Sequence, residues 1–228
     1  MSIELKVLLS TLKMTKEKPS TTIEALRLHS RIPSQNLREV IDSLAREGTL
    51  TVSGDLVNIT PTQRIEVAVR AISIGADPER VCSLLRWDEF EDVSVLAFEA
   101  AGFSVKKHFR FKWSGRRWEI DVLGRRGGIV ASVDCKHWRR NWRRSSIVRI
   151  VKSHVDRTRA LAEASRLVGI GINREERITF IPIILSLIPG PFKFYMRVPI
   201  VPILQLQDFL YELEAHIDAL THFTSICR

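Results

Sequence analysis

Trp118-Glu119-Ile120-Asp121-Val122-Leu123, a Gly127-Gly128 step, and Ile129-Val130-Ala131-Ser132-Val133-Asp134-Cys135-Lys136 are the stretches whose reading decides the fold. Both arms are rich in Val and Ile, and Gly-Gly between such arms signals a tight turn with positive φ, so a β-hairpin is predicted. With the turn centred on the glycines and no bulge, paired residues have numbers that sum to 255. Asp121 then lies opposite Asp134, and Lys136 opposite Glu119. Strand alternation puts Asp134 and Lys136 on one face and Cys135 on the other. Cross-strand neighbours sit roughly 4.5–5.5 Å apart at Cβ. Two carboxylates that close repel unless a positive group lies between them, and a divalent metal is the natural candidate. The competing reading is a solvated surface ion pair, which contributes little. Against it, Ile120, Val122, Leu123, Ile129, Val130 and Val133 are apolar on both faces, the pattern of central strands. Asp is also a poor strand former, so two in register need a reason.

Asp121, a hairpin, then Asp134-x-Lys136 resembles the PD-(D/E)xK signature of the restriction-endonuclease-like nucleases, with most similarity to the Mrr-type and archaeal Holliday-junction-resolvase-like branches. The resemblance reaches upstream to Phe90-Glu91-Asp92-Val93, leading into Ala100-Ala101-Gly102-Phe103-Ser104-Val105, and covers roughly residues 88–206. Members carry an acidic residue in the first core helix, followed by a Gly-aromatic step into the first strand. Only the Asp…Asp-x-Lys part is specific. Asp134 stands where the family more often has Glu, and no Pro precedes Asp121.

What the resemblance implies is a mixed α/β sheet flanked by helices, acting as a metal-dependent endodeoxyribonuclease on DNA. Asp121 and Asp134 would hold Mg²⁺, for which Mn²⁺ would substitute, with the Cys135 carbonyl as a further ligand. The chemistry agrees with this. A bound Mg²⁺ acts as a Lewis acid on phosphate and lowers the pKa of water, and it favours one or two carboxylates plus waters and substrate oxygens. Lys136 would orient the attacking water or stabilise transition-state charge. Glu91 is the candidate for an additional metal or water ligand, and Glu99 the second choice. Asp88-x-x-Glu91 equally resembles a capping box with Asp at the N-cap, so Glu91 is either a ligand or a cap.

Charge is concentrated around this segment. Residues 105–150 hold 14 Lys or Arg against Glu119, Asp121 and Asp134, a local net of +11. The whole chain nets +9, so the remainder nets −2. Lys136-His137-Trp138-Arg139-Arg140-Asn141-Trp142-Arg143-Arg144 interleaves cations with indoles, as phosphate-tracking and base-stacking surfaces do. Lys106, Lys107, Arg110, Lys112, Arg116 and Arg117 add a second basic stretch. Lys112, Arg116, Arg117, Arg139, Arg140, Arg143 and Arg144 are the candidate DNA contacts. A merely solubilising or membrane-surface role is the alternative, but carboxylates embedded in a basic segment argue for a polyanion brought to a metal.

With 45% hydrophobic and 27% charged residues, the 228-residue chain has the composition of a soluble globular protein of one or two domains. Cys82, Cys135 and Cys227 form no Cys-x-x-Cys pair, so neither a zinc ribbon nor a disulfide framework is indicated. The first residues lack a signal-peptide pattern, and the longest apolar stretch, residues 178–188, is too short to span a membrane and contains Pro182. A cytoplasmic location and no membrane partner are expected.

Residues 1–62 read as a different module. Helices are predicted over residues 3–12, 21–29 and 34–47, the last with Leu37, Val40, Ile41 and Leu44 on one face and a stop at Gly48. A hairpin over residues 49–59 follows. Three helices plus a hairpin resemble a winged helix-turn-helix, whose polar Ser34-Gln35-Asn36 with Arg38 would enter a major groove. Yet residues 1–60 carry 8 basic and 7 acidic side chains, so docking or dimerisation is an equal alternative. Residues 63–87 read as a helical connector, with Pro61 at a helix start, a Gly75 stop and a short helix after Asp77-Pro78. Residues 88–228 form the nuclease-like domain.

In that domain residues 146–168 read as a long helix along which His154, Arg157 and Arg159 face either substrate or solvent. Residues 178–187 and 198–206 read as strands, with a hairpin arm at residues 192–197. Pro182, Pro199 and Pro202 argue that these strands are edge or interrupted ones. Phe209, Leu210, Leu213, Ile217 and Leu220 mark a closing helix. Two other functions stay open: a winged-helix DNA-binding regulator on a non-catalytic nuclease-like scaffold, and a docking protein that binds RNA or a partner. A homodimer would suit cleavage of both strands.

Overall fold

The computed structural model describes residues 2–136, 144–168 and 177–226. They divide into two compact units near residue 90. The first comprises α1 (Ile3–Met14), β1 (Ser20–Thr22), α2 (Ile23–Ser30), α3 (Ser34–Arg46), β2 (Thr51–Ser53), β3 (Leu56–Asn58), α4 (Pro61–Ser73) and α5 (Pro78–Leu84). Its three strands form an antiparallel sheet in the order β1-β3-β2. The second predicted helix starts two residues late, at Ile23. Thr21 and Thr22 pair with Val57 and Leu56, and the Thr22 hydroxyl then caps α2 by accepting from the Ala25 amide. Nothing local announces a strand there; its partner is 36 residues on.

In α3, Leu37, Ile41 and Leu44 are buried while Ser34, Gln35, Asn36 and Arg38 are exposed, as the periodicity requires. Gly48, at φ +77°, ends the segment. Thr60 and Gln63 close a reciprocal capping box that starts α4 at Pro61. α4 lies in the stretch expected to connect domains, yet it packs against α1 through Arg64, a fully buried guanidinium. Its Nε donates to Glu89 Oε1 at 2.6 Å, and its Nη atoms donate to Leu12 O at 2.9 Å, to Leu84 O at 2.8 Å and to the Thr15 hydroxyl.

The second unit, starting within α6 (Trp87–Ala100), adds β4 (Ser104–Trp113), β5 (Arg116–Arg126), β6 (Ile129–Lys136), α7 (Arg144–Ala164), β7 (Arg177–Ser186), β8 (Phe194–Tyr195), β9 (Val198–Pro202), α8 (Leu206–Glu212) and β10 (Phe223–Ile226). A mixed sheet runs β4-β5-β6-β7-β9-β8, with β10 also beside β7. β5 runs antiparallel to both β4 and β6, whereas β6, β7 and β9 run parallel. Leu161, Ala160 and Ala164 of α7 share a core with Phe111, Leu123, Val130, Ile178 and Phe180, covering one face. α6 covers the other. There Phe98 meets Phe103 edge-on at 5.3 Å and lies over Gly124.

A Cβ on Gly124 would fall 2.4 Å from Phe98 Cδ1. Gly124→Ala is therefore expected to cost about 1–3 kcal/mol through overpacking. A chemical-denaturation midpoint indistinguishable from wild type would contradict this packing.

Two expectations are corrected here. Of the two readings of Pro182, the edge one fails, because β7 is central, flanked by β6 on one side and by β9 and β10 on the other, and the interrupted one holds on the second side. Pro182 falls in the stretch 181–183, between the residues paired with β10 and those paired with β9, where a missing amide breaks no ladder on that side. The closing helix is short. It passes into a 3-10 turn over Leu213–Ala219 and is followed by β10, which antiparallel pairing with β7 creates and local sequence does not signal.

Candidate active site

The hairpin forms in the expected register: Arg126 pairs with Ile129 across the turn, and the ladder continues to Val122–Val133. Gly127 supplies the positive φ, +53°. The ladder stops one pair short of Asp121 and Asp134. On its other side, Asp121 is also the one residue between Arg116 and Arg125 without a β4 partner. The residue opposite that gap, His108, has φ +48°, a left-handed conformation rare for a bulky side chain. Trp118 and Ile120 lie in the same core as Leu123, though odd and even positions of a regular strand face opposite ways. Lys107–Val122 and Phe109–Ile120 keep the same register on either side, so the ladder is interrupted at His108–Asp121 without an inserted residue.

Asp121 bridges to β6 by its side chain instead: Oδ2 accepts the Cys135 amide at 2.8 Å. Among the described residues no donor meets Oδ1. Asp134 is 2% exposed, and both of its oxygens carry a cation. Lys136 Nζ lies 2.9 Å from Oδ2, and Arg157 Nη1 of α7 lies 2.8 Å from Oδ1. Asp121, Asp134 and Lys136 are therefore brought together. The predicted pairing of Lys136 with Glu119 is not formed: Glu119 turns to Arg110 at 2.9 Å and to His108 at 3.6 Å.

The two carboxyls differ electrostatically. Burial pushes Asp121 above the usual carboxylate range, and the charge of Asp134 adds to this. Burial works on Asp134 in the same direction, but His154, Lys136 and Arg157 more than offset it and hold it low. His154 lies fully buried in α7, where burial pushes its pKa down to about 4. Neutral near pH 7, its ring donates from Nε2 to Ser132 O at 2.7 Å, leaving Lys136 and Arg157 to keep Asp134 ionised. Burial raises the Cys135 thiol, with Asp121 adding to it, so that side chain stays protonated and inert.

Glu91 is not the helix cap. Glu89 takes that part, its Oε2 accepting the Arg86 amide at 2.9 Å. The Glu91 carboxylate is buried in α6 with His108 Nε2 at 3.1 Å and Lys107 Nζ at 3.8 Å. After burial and the charge of Asp121, the charge of Glu91 also raises the Cys135 thiol. Glu99 is exposed two turns further along α6. Among the described residues no group of three or more His, Cys, Asp or Glu side chains converges closely enough to hold a metal ion. The donor set that does come together is the Asp121–Asp134 pair. Two close carboxylates, one raised by burial and by the charge of the other and with an oxygen unengaged among the described residues, fit a hard divalent cation completed by waters and substrate oxygens.

The basic residues partition. Lys112 pairs with Arg117 next to the positive-φ turn Ser114-Gly115, and both are exposed. Arg116 lies over the Trp118 ring at 4.2 Å. This tip stands roughly 15 Å along β5 from Asp121, at about 3.3 Å per residue. Arg144 is exposed at the start of α7, and Arg139, Arg140 and Arg143 lie outside the described residues. Arg157 reaches the site, whereas Arg159 points to Asp156 and the Phe223 ring. The sequence alone leaves Arg157 undecided and gives no sign of His108, because the break in pairing and the positive φ that place His108 have no local signature.

Fold and site together define an α/β protein with a mixed, helix-flanked sheet and a buried carboxylate pair gripped by cations. No family model matches the chain. Over 134 residues it is 34% identical to an uncharacterized protein of Archaeoglobus fulgidus, covering 95% of that protein and 58% of this chain. The chain belongs to the same family as that archaeal protein. Among solved structures, it shares 12% identity and a TM-score of 0.40 with a Vibrio cholerae protein, over 95% of this chain and 51% of the other. It shares 11% identity and a TM-score of 0.38 with the restriction endonuclease FokI, over 94% and 44%. These are distant likenesses, and the chain spans about half the length of each of the two. Among the described residues no helix is long and apolar enough to cross a membrane.

Proposed function

We propose that this chain is a metal-dependent endodeoxyribonuclease. One observation carries the reading: Asp121, Asp134 and Lys136 meet at the end of one hairpin, Lys136 Nζ lying 2.9 Å from Asp134 Oδ2, inside the segment that holds the chain's excess positive charge. Asp121 and Asp134 would hold Mg²⁺ or Mn²⁺. When bound, the cation supplies Lewis acidity toward the phosphate and an activated water near neutral pH. Lys136, anchored on Asp134, places an ammonium where charge builds on the phosphate. Arg157 holds Asp134 ionised and oriented from α7, which makes it a positioning residue. Glu91, held by His108 and Lys107, stands at the margin as the candidate for orienting water or a further ligand.

In this reading residues 1–62 are a winged helix: α1, α2 and α3, then the β2–β3 wing, with β1 completing a small sheet. The exposed Ser34-Gln35-Asn36 and Arg38 would meet a groove. Its near-neutral charge leaves most non-specific affinity to the basic segment of the second unit. DNA affinity should then fall steeply with salt through counterion release. Neutralising Arg139, Arg140, Arg143 and Arg144 together should flatten a plot of log affinity against log salt by about 0.9 for each phosphate that is no longer neutralised. An unchanged slope would move the main DNA contact elsewhere.

The test of function is incubation of the purified protein with supercoiled plasmid, branched DNA and single-stranded DNA in Mg²⁺, Mn²⁺ or EDTA. Cleavage that EDTA abolishes supports the nuclease. Binding without cleavage under every condition favours the winged-helix regulator on a non-catalytic scaffold.

A further inference from the structure

The first unit contains a pocket of about 350 Å³ that the proposed cleavage site does not use. Its wall on α1 is the stripe Lys6, Leu9, Ser10 and Lys13, whose i, i+3, i+4, i+7 spacing places them on one helix face. The end of α2 contributes His29, and α5 contributes Arg80 and Ser83. Among the described residues no Asp or Glu lines it. Among the described residues the side chains of Lys6, Lys13 and Arg80 have no carboxylate partner, although residues 1–60 as a whole are nearly neutral. Nearby Lys16 differs, because its Nζ is engaged by Ser83 O at 2.9 Å. The His29 ring is fixed on the pocket wall, Nδ1 lying 3.1 Å from the hydroxyl of buried Ser10. Burial, then the charge of Lys13, lowers the His29 pKa, which favours the neutral ring.

We propose that this pocket binds a phosphate-bearing ligand of mononucleotide size, with Lys6, Lys13 and Arg80 meeting the phosphate and His29 and Ser83 adding hydrogen bonds. The volume lies at the lower end of small-ligand sites, about 300–1,000 Å³. Three cations whose side chains have no carboxylate partner among the described residues suit a dianion, for which charge-assisted hydrogen bonds are the strong ones, although Asp77 accepts the Arg80 amide at 3.2 Å. A free nucleotide and a nucleic-acid backbone share this chemistry, and the geometry favours the former because the cations line a concave pocket rather than a ridge.

The experiment is calorimetric titration of the full-length protein with inorganic phosphate, adenosine 5′-monophosphate and a short DNA duplex. Binding of the mononucleotide is expected, weakened about tenfold or more in Lys13→Ala and in Arg80→Ala. Both residues are exposed, so melting temperatures should not move. The imidazole C2 proton of His29, identified by its loss in His29→Gln, should shift on addition of nucleotide. Asp134→Ala should bind the nucleotide like wild type, which separates this site from the cleavage reading. Three results would overturn the proposal. One is no heat with phosphate or nucleotide. Another is nucleotide binding that both variants retain while His29 stays silent. The third is a response, absent in the variants, to the duplex alone, which would make the pocket a contact for polymer backbone.

Discussion

Asp121→Ala and Lys136→Ala are each expected to lower the rate of DNA cleavage by about 10²–10³-fold or more, because each removes a group that acts on charge at the phosphate. Binding should survive. Asp121→Ala removes a negative charge from a basic surface, so its DNA affinity should equal or exceed that of wild type. Lys136→Ala removes one cation of the many in the segment and should weaken binding little. Single-turnover rates beside equilibrium binding on the same duplex separate the two effects. A variant that lost binding and cleavage in proportion would point to a folding or contact role instead.

The second large effect is on stability. Arg64→Ala leaves Glu89 buried without its guanidinium partner and strips donors from the carbonyls of Leu12 and Leu84. Breaking one half of a buried ion pair costs about 3–5 kcal/mol, whereas replacing both halves with apolar residues of similar volume costs far less. Arg64→Ala should therefore lower the denaturation midpoint strongly, and Arg64→Met with Glu89→Met should recover much of the loss. A wild-type midpoint for Arg64→Ala, followed by far-ultraviolet circular dichroism, would show that the buried network does not hold α4 in place.

The parts of the fold that were legible in the sequence are those set by local chemistry. The Gly127-Gly128 turn fixed the hairpin register, and the Leu37, Ile41, Leu44 stripe fixed α3, because turn geometry and helical period act over a few residues. β1 and β10 were not legible: each exists only because a distant strand offers unpaired backbone. Pro182 left an edge strand and an interrupted one open for a related reason, since its tolerance in a central strand depends on where β10 ends and β9 begins. At the site, the register brought Asp121, Asp134 and Lys136 together as expected. The interruption at His108–Asp121 then ended the extrapolated pairing beyond Val122, and Glu119 turned to Arg110. Glu91 showed the limit of motif spacing, because Asp88-x-x-Glu91 has the letters of a capping box while Glu89 makes the cap. Arg157 reaches Asp134 from a helix 23 residues away, an ion pair that only the packing of α7 on the sheet reveals.

If the paired carboxylates of the β5–β6 hairpin support hydrolysis of DNA with a divalent cation, plasmid cleavage should need both the carboxylate charge and the metal. Conversion of supercoiled plasmid to nicked and linear forms is therefore to be followed for wild type and for Asp134→Asn, purified identically, in Mg²⁺ and in EDTA. Conversion is expected with wild type in Mg²⁺, none in EDTA, and none with Asp134→Asn in either. Equal conversion by Asp134→Asn and wild type, or wild-type conversion that persists undiminished in EDTA, would contradict a metal-dependent nuclease built on this hairpin.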